Sequence, residues 1–591
     1  MKAKTLALVL FLTLVSTPAV IVFGSGVVDA ITVYPIDRAQ ILAGSRFDFK
    51  VEFDGIVESA DTKVTVNGAD VASVLGRSAS FVKQEAGVSA SALILRDVAL
   101  ARPGRYTVVA GDGKISRTVT WDVYATGARK ARNVILFIGD GMSLAHRTAA
   151  RILAAGITEG KYRGELAMDA MPNMALLGTA GVDSIITDSA NSASAYTTGH
   201  KSSVNALGVY ADRTPDTLDD PRVETVTSLV KRLRSMAVGV VTNTEVEDAT
   251  PAAMVAHTRR RSDYDPIVGM FYESGVDVLM GGGAAHFLPK SAAGSRRMDE
   301  TDYLAKFRGA GYAVASTDRE MKSAAADPGT RKLLGLFHLS NMDGVLDRKF
   351  LKQGTVTKFP EQPDLVDMVK SALEVLARHD NGFVLMVESG LIDKYSHPLD
   401  WERAVMDTIM LDAAVAAAKS FGAGRDDTLI LVTADHAHGL SLVGTVDDAT
   451  PGKDGRDKVG VYEKAGFPNY PLANGEGYPP RLDVSRRLAV FFAGFPDYYE
   501  TFRPKLDGPF VPAVAGPDKT YVANEKYKDV PGAILRTGNL PRSAPQGVHT
   551  GEDVVLTATG PGADRVRGFL DNTEVFRIIA EALGLGTDAG R

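Results

Sequence analysis

The stretch GFVLMVESGLIDKYSH, Gly382 to His397, constrains this chain more than any other. Phe383 to Val387 is an apolar run suited to a strand buried on both faces. It stops abruptly at Glu388. Asp393 follows five positions later and His397 four beyond that. If the chain turns helical after Gly390, Asp393 and His397 stand one turn apart on one face. An acid and an imidazole so placed can hold one metal ion, and Glu388 at the mouth of the strand can reach a second. Solvated carboxylates on a loop are the alternative for this stretch alone. Similar stretches elsewhere tip the balance toward ligands.

From Asn133 onward the same design repeats. NVILFIGD, Ala237 to Val246, Asp277 to Gly283, GFVLMVE and Asp427 to His436 read as strands, alternating with helical patterns at Thr225 to Met236, Leu365 to His379 and Trp401 to Phe421. Such alternation predicts an α/β fold, a mostly parallel central sheet flanked by helices. Ligands of such sheets bind beyond the C-terminal strand ends, where Asp140, Glu388, Asp435 with His436, and the segment after Val246 all fall. Residues 31–126 differ. Alternating strands at Phe47 to Phe53, Tyr106 to Ala110 and Val119 to Val123, with an Asn67-Gly68 turn, predict a small antiparallel β-sandwich of immunoglobulin-like kind. The larger α/β domain then spans 127–591, with a Gly-, Pro- and Tyr-rich insertion at about 440–546 and a frayed tail at 583–591.

Residues 1–30 carry Lys2 and Lys4, an apolar core from Leu6 to Leu14 and small residues near Ala30, the pattern of a signal peptide. Cleavage would release an exported protein, periplasmic or extracellular; an uncleaved segment would tether it to a membrane. There is no cysteine, so stability rests on core size, metals or association, and any metal binds through Asp, Glu, His or hydroxyl groups. A net charge of −6, with no Lys/Arg run, argues against a nucleic-acid partner.

The remaining motifs supply candidates. TDSANSASAYTTGHK places Ser189 near a helix N-terminus, where an anion or alkoxide is favoured, although Asp188 and Ser189 also suit plain capping. EVEDATPAAMVAHTRRR offers Asp248, then Thr250 as N-cap with Pro251 at the first helical position, then Arg259, Arg260 and Arg261, any of which could clamp a phosphate. VTADHAHG contributes Asp435 and His436, and GVHTGED contributes His549. Of ten histidines, His397, His436 and His549 are assigned to metal. His438 and the others default to packing, surface or supporting positions. The oxygen and nitrogen donors suit Zn²⁺ where His is present and Mg²⁺ where only oxygens are.

FIGDGM, TDSANSA, EDATPAAMVAH, DVLMGGG, VESGLIDKYSH, VTADHAHG and GVHTGED occur in this order, and from about Asn133 to Leu583 the chain resembles the alkaline phosphatases, exported metal-dependent phosphomonoesterases. The resemblance implies two Zn²⁺ and one Mg²⁺ per chain. Asp393, His397 and His549 match the ligands of the first zinc. Asp140, Asp435 and His436 match those of the second, and Asp140, Thr250 and Glu388 those of magnesium. Ser189 matches the nucleophile and Arg261 the phosphate-binding arginine, with Arg259 or Arg260 as fallback. Asp248 and Lys394 match supporting positions. Hydrolysis of many phosphate monoesters through a phosphoserine, activity rising toward alkaline pH, and a homodimer are implied as well. Asn191 departs from the family, standing where a small residue is usual beside the nucleophile. The rival readings are a phosphodiesterase or sulfatase of the same fold, or a non-catalytic exported protein that binds metal or phosphate.

Overall fold

The computed structural model of the chain describes residues 31–586; the signal-peptide reading falls on residues 1–30, outside that range. The alternation seen from Asn133 closes into one ten-stranded sheet. Its strands in chain order are β1 (Asn133–Gly139), β2 (Asn173–Gly178), β3 (Ala237–Glu245), β4 (Val278–Gly282), β5 (Ala313–Ala315), β6 (Leu333–Leu336), β7 (Phe383–Ser389), β8 (Thr428–Thr433), β9 (Val554–Thr559) and β10 (Arg567–Asp571). Across the sheet they run β5-β6-β4-β3-β7-β1-β8-β9-β2-β10. Every neighbouring pair is parallel except the two made by β9.

β1, β3, β7 and β8 are buried along their whole length, which is why they read as unbroken apolar runs rather than as alternation. Helices cover them. On one layer α1 (Leu144–Ala155) and α4 (Leu365–Leu376) pack against α6 (Trp401–Gly422); elsewhere α2 (Ser189–Thr198) packs against α7 (Thr573–Leu583). Between them fall α3 (Ala249–Ala252) and α5 (Leu391–Ser396), both short. The register pairs Ile138 with Glu388 and with Thr433, so β1, β7 and β8 end level with one another. Their acidic residues are thereby delivered to one edge.

Residues 31–124 form two stacked sheets. One has four strands and is antiparallel throughout. The other has five, and here the all-antiparallel expectation is corrected: the strand at Ala39–Leu42 runs parallel to the one at Ser116–Tyr124. The chain changes sheets between Tyr34 and Ala39, so it enters the second sheet beside the module's last strand rather than its next one. Trp121 fills the space between the sheets, edge-on to Phe47 and Phe49. This core is completed by Tyr210 and Val223, from beyond residue 127.

The frayed tail is also corrected as far as Gly586. Leu583 and Leu585 are buried, and Lys130 and Ala131 both donate backbone N–H groups to the Ala582 carbonyl. The Gly- and Pro-rich region after Gly439 holds a three-stranded sheet and two strand pairs. An ionic lock ties it down. Arg403 on α6, without solvent exposure, donates two bonds of 2.8 Å to Asp347, one of 2.8 Å to Asp400, and one of 2.7 Å to the Lys505 carbonyl. Replacing Arg403 with Met leaves two buried carboxylates facing each other. The expected cost is about 3–5 kcal/mol, read as a lower guanidinium midpoint and faster proteolytic nicking after residue 440.

Candidate active site

The level ends of β1, β7 and β8 open onto one polar cluster. Asp140 leaves β1 just before Gly141, whose φ of 68° suits glycine and where a Cβ would meet the His438 ring at 2.6 Å. Glu388 is the penultimate residue of β7. α5 starts three residues later and, as its sequence predicts, stacks Asp393 one turn before His397, with Nε2 3.4 Å from Asp393 Oδ1. After β8 the chain turns sharply. Asp435 Oδ1 accepts the backbone N–H groups of Gly141 at 3.0 Å and His436 at 2.9 Å.

Two groups of acids and histidines are spaced for metal among the described residues: Asp393 with His397, His438 and His549, and Asp140 with Asp393 and His436. In the first, His549 Nε2 lies 3.3 Å from Asp393 Oδ1 and 3.2 Å from His397 Nε2. Both rings donate Nδ1–H to carbonyls, His397 to Gly547 at 2.8 Å and His549 to Thr187 at 2.9 Å. Their Nε2 atoms therefore turn toward each other, an arrangement that calls for a shared cation. In the second, His436 Nε2 lies 3.2 Å from Asp140 Oδ1 and 3.3 Å from Asp435 Oδ2. Asp435 Oδ2 and His436 Nδ1 are buried with no hydrogen-bond partner. Glu388 stands outside both groups, and Thr242 and Thr244 donate their hydroxyls to its Oε2. The Thr250 hydroxyl is buried and unpartnered. Orphaned donor atoms and opposed imidazoles together fit bound cations.

The electrostatics agree. Burial, then Asp393, Asp435 and Glu388, push Asp140 well above the ordinary carboxylate range. Burial raises Glu388 to about 7 and Asp435 to about 6. Burial and then His549 hold His436 well below a normal histidine, so it presents a lone pair. Asp248 behaves oppositely: burial opposes its charge, but Lys394 at 2.9 Å and Arg261 at 2.8 Å outweigh that and keep it ionised.

Ser189 is the first residue of α2, 2% exposed. Its Oγ lies 3.2 Å from His436 Nε2 and 3.4 Å from Asp140 Oδ1. Asp188 caps the helix and also receives Arg261 at 3.2 Å, a second role that capping chemistry alone does not reveal. Of the three arginines it is Arg261 that turns inward; Arg259 donates to the Asp212 and Asp216 carbonyls, and Arg260 is exposed. The N-cap reading of Thr250 is corrected: Asp248 caps α3, and Pro251 is its third residue. This shift is what frees the Thr250 hydroxyl. Asn191 turns away from any pocket, accepting from the Thr187 hydroxyl at 2.5 Å and the Asp188 N–H at 3.0 Å. His438 belongs with the first group, its Nε2 2.5 Å from Asp393 Oδ1. Thr242, His438 and the Arg261 contact of Asp188 escape sequence reasoning; only the HAH spacing in Asp435 to His438 hints at His438.

A hydroxyl poised among buried carboxylates and imidazoles, next to an aspartate that binds an anchored guanidinium, suits metal-assisted transfer of an anionic group. Residues 131–460 match the family model for alkaline phosphatase. The chain is 33% identical over 393 residues to the alkaline phosphatase of Escherichia fergusonii, covering 60% of this chain and 79% of that protein. It is 30% identical over 491 residues to the tissue-nonspecific alkaline phosphatase of Gallus gallus, covering 77% and 85%. The structure of the Thermus thermophilus alkaline phosphatase superposes with a TM-score of 0.54 at 25% identity, over 78% of this chain and 93% of that one. That of the Antarctic bacterium TAB5 enzyme gives 0.52 at 21%, over 77% and 99%. The chain belongs to the alkaline phosphatase family. With membership come phosphatase activity and dependence on bound metal.

Stripping divalent metal with a chelator is expected to lower the melting temperature by several degrees, since each site held at a thousandfold its Kd adds about 4 kcal/mol. Scanning calorimetry before stripping, after it, and after metal return reads this. An unchanged melting temperature would mean that Lys394 and Arg261 balance the carboxylates unaided.

Proposed function

We propose that this enzyme hydrolyses phosphate monoesters to an alcohol and inorganic phosphate through a phosphoserine at Ser189, over a broad substrate range. One observation carries the reading: the Ser189 hydroxyl, buried at a helix N-terminus, lies 3.2 Å from His436 Nε2 and 3.4 Å from Asp140 Oδ1, and the neighbouring Asp188 binds an arginine whose other arm is held by Asp248. In the bound ester, Arg261 donates to two phosphoryl oxygens in a bidentate clamp, and Asp188 and Asp248 keep its plane fixed. The free N–H groups of α2 add positive potential at the same place. Ser189 Oγ attacks phosphorus in line, the ester P–O bond breaks, and the alcohol leaves. Water then cleaves the phosphoserine and regenerates Ser189.

Asp393, His397 and His549 would hold one zinc, Asp140, Asp435 and His436 a second, and Asp140, Thr250 and Glu388 a magnesium. When bound, these metals supply acidification of the hydroxyl and of water, and neutralise phosphoryl oxygens. Lys394 and Asp248 form the supporting pair between the metal carboxylates and Arg261. Because the ligands and both nucleophiles must lose protons, activity is expected to rise from neutral toward alkaline pH.

Ser189→Ala is expected to lower kcat roughly a thousandfold or more while metal content, measured by mass spectrometry, stays unchanged. Residual burst kinetics in that variant would remove Ser189 from the reaction. Comparing chromogenic monoester, diester and sulfate ester substrates on metal-reconstituted enzyme tests the substrate class. A rate highest on diester or sulfate would overturn the monoester reading.

We further infer a homodimer and export. Met174 and Leu176 on β2 and Phe569 on the edge strand β10 stand on one exposed face, Leu176 directly opposite Phe569. Three large apolar side chains side by side on a sheet edge suit a second copy. Leu176→Asp is expected to convert a dimer to a monomer in light scattering. The export reading rests on the basic and apolar N-terminal residues. No helix among the described residues is long and apolar enough to cross a membrane.

A further inference from the structure

The β-sandwich module is joined to the rest of the chain by more than its linker. The segment from Gly208 to Glu224 leaves the region of the site as a strap and lies against the module's strand Arg46–Phe53. Its outer end extends that sheet: Val223 bridges Phe47, Asp48 N–H donates to the Arg222 carbonyl at 2.8 Å, and Glu224 N–H to the Arg46 carbonyl at 2.9 Å. The middle of the strap carries a buried ion cluster. Lys50, 1% exposed, places Nζ 2.7 Å from Asp212 of the strap, 2.6 Å from Glu85 and 3.1 Å from Glu52. Arg213, the next strap residue, donates to Glu85 at 2.9 Å and to the Phe53 and Ser91 carbonyls at 2.7 and 2.8 Å.

The base of the same strap holds the arginine loop. Arg259 donates to the Asp212 carbonyl at 2.6 Å and the Asp216 carbonyl at 2.9 Å. Leu207 and Thr258 exchange backbone hydrogen bonds of 2.7 and 3.0 Å, and Arg261 N–H donates to the Asn205 carbonyl at 2.8 Å. Asn205 N–H in turn donates to Asp188 Oδ2 at 3.2 Å, the same oxygen that receives Arg261. A continuous set of bonds therefore runs from Lys50 through Asp212 and Arg259 to the backbone that carries Arg261. The cleft of about 720 Å³ between strap and module does not compete as a ligand site. Of its four acids, Asp48, Asp97 and Glu224 each pair with an arginine, and Asp219 accepts from the Thr214 hydroxyl.

We propose that the N-terminal module is a positioning device for the phosphate clamp: Lys50, through Asp212 and Arg259, sets the placement of Arg261 and so the affinity for the phosphoryl group. This rests on the reading of Arg261 as the clamp. A module that merely stabilised the chain would need only apolar burial against the strap, which Tyr210 and Val223 already supply. A lysine sequestered with three carboxylates is an orientation-specific contact instead.

The experiment uses the full-length, metal-reconstituted enzyme and inorganic phosphate as competitive inhibitor. Lys50→Met is expected to raise the phosphate Ki and the monoester KM together, about three- to tenfold, without lowering kcat, and Lys50→Arg to restore much of the loss. Arg259→Gln cuts the same link without emptying the buried cluster and is expected to reproduce the rise should Lys50→Met fold poorly. In an Arg261→Ala background either change is expected to leave Ki where Arg261→Ala alone puts it. A lower melting temperature with unchanged Ki in both Lys50→Met and Arg259→Gln would overturn the coupling. An unchanged Ki in Arg261→Ala itself would instead overturn the clamp, and the coupling with it.

Discussion

Four carboxylates, Asp140, Glu388, Asp393 and Asp435, are each 2% exposed or less and share one edge of one sheet. Nothing in ordinary folding favours this, since burying one unpaired charge is costly and burying several alike is worse. The molecule depends on what balances them. Lys394 and Arg261 supply two fixed positive charges, both directed first at Asp248. The remainder of the compensation comes from protonation of the raised carboxylates or from bound cations, and family membership brings the metal dependence. The threonine hydroxyls on Glu388 and the backbone N–H groups on Asp435 soften the cost but carry no net charge.

The apolar rigidity of the strands makes so costly a cluster sustainable. β1, β7 and β8 are parallel, buried and in level register, so the position of each acid is set by packing over the whole strand rather than by a loop. Asn243 extends this logic to α5. Its side chain accepts the N–H groups of Gly390 and Leu391 at 2.8 and 3.2 Å, pinning the start of the helix that presents Asp393 and His397. Arg261, Lys394 and His397 are the partly exposed groups of the cluster.

How much of this was legible in the sequence depended on whether the signal was periodic. The buried strands and the Asp393–His397 spacing are short-range patterns with one physical solution each, and both survive in the structure. The same holds for Ser189 at a helix start. Thr250 was misread as a cap because Asp248 and Thr250 are equally good capping residues, and only the tertiary position of Asp248 between Lys394 and Arg261 decides between them. Thr242, His438 and the Arg261 contact of Asp188 were missed because they arise from partners far along the chain, Glu388, Asp393 and Arg261. The parallel pair in the sandwich was missed for a related reason: antiparallel hairpins follow from adjacent strands and tight turns, whereas a change of sheet leaves no local mark.

The chain lacks cysteine, and the two places where a disulfide would be most useful carry buried ion clusters instead. Arg403, held by Asp347 and Asp400, donates to the Lys505 carbonyl, and Asp400 accepts the Phe510 N–H, so this cluster fixes the loop-rich region after Gly439 to α6; Lys50 with Glu52, Glu85 and Asp212 fixes the module to the strap. Neither cluster need add net stability over an apolar contact of equal volume, because desolvation consumes most of the Coulombic gain. What each provides is a unique mutual orientation, since a guanidinium or ammonium with several short carboxylate contacts tolerates little sliding. Apolar surfaces such as the one around Tyr210 and Val223 give adhesion without that precision. Under the clamp role proposed for Arg261, precise orientation at the module is of more use than additional stability.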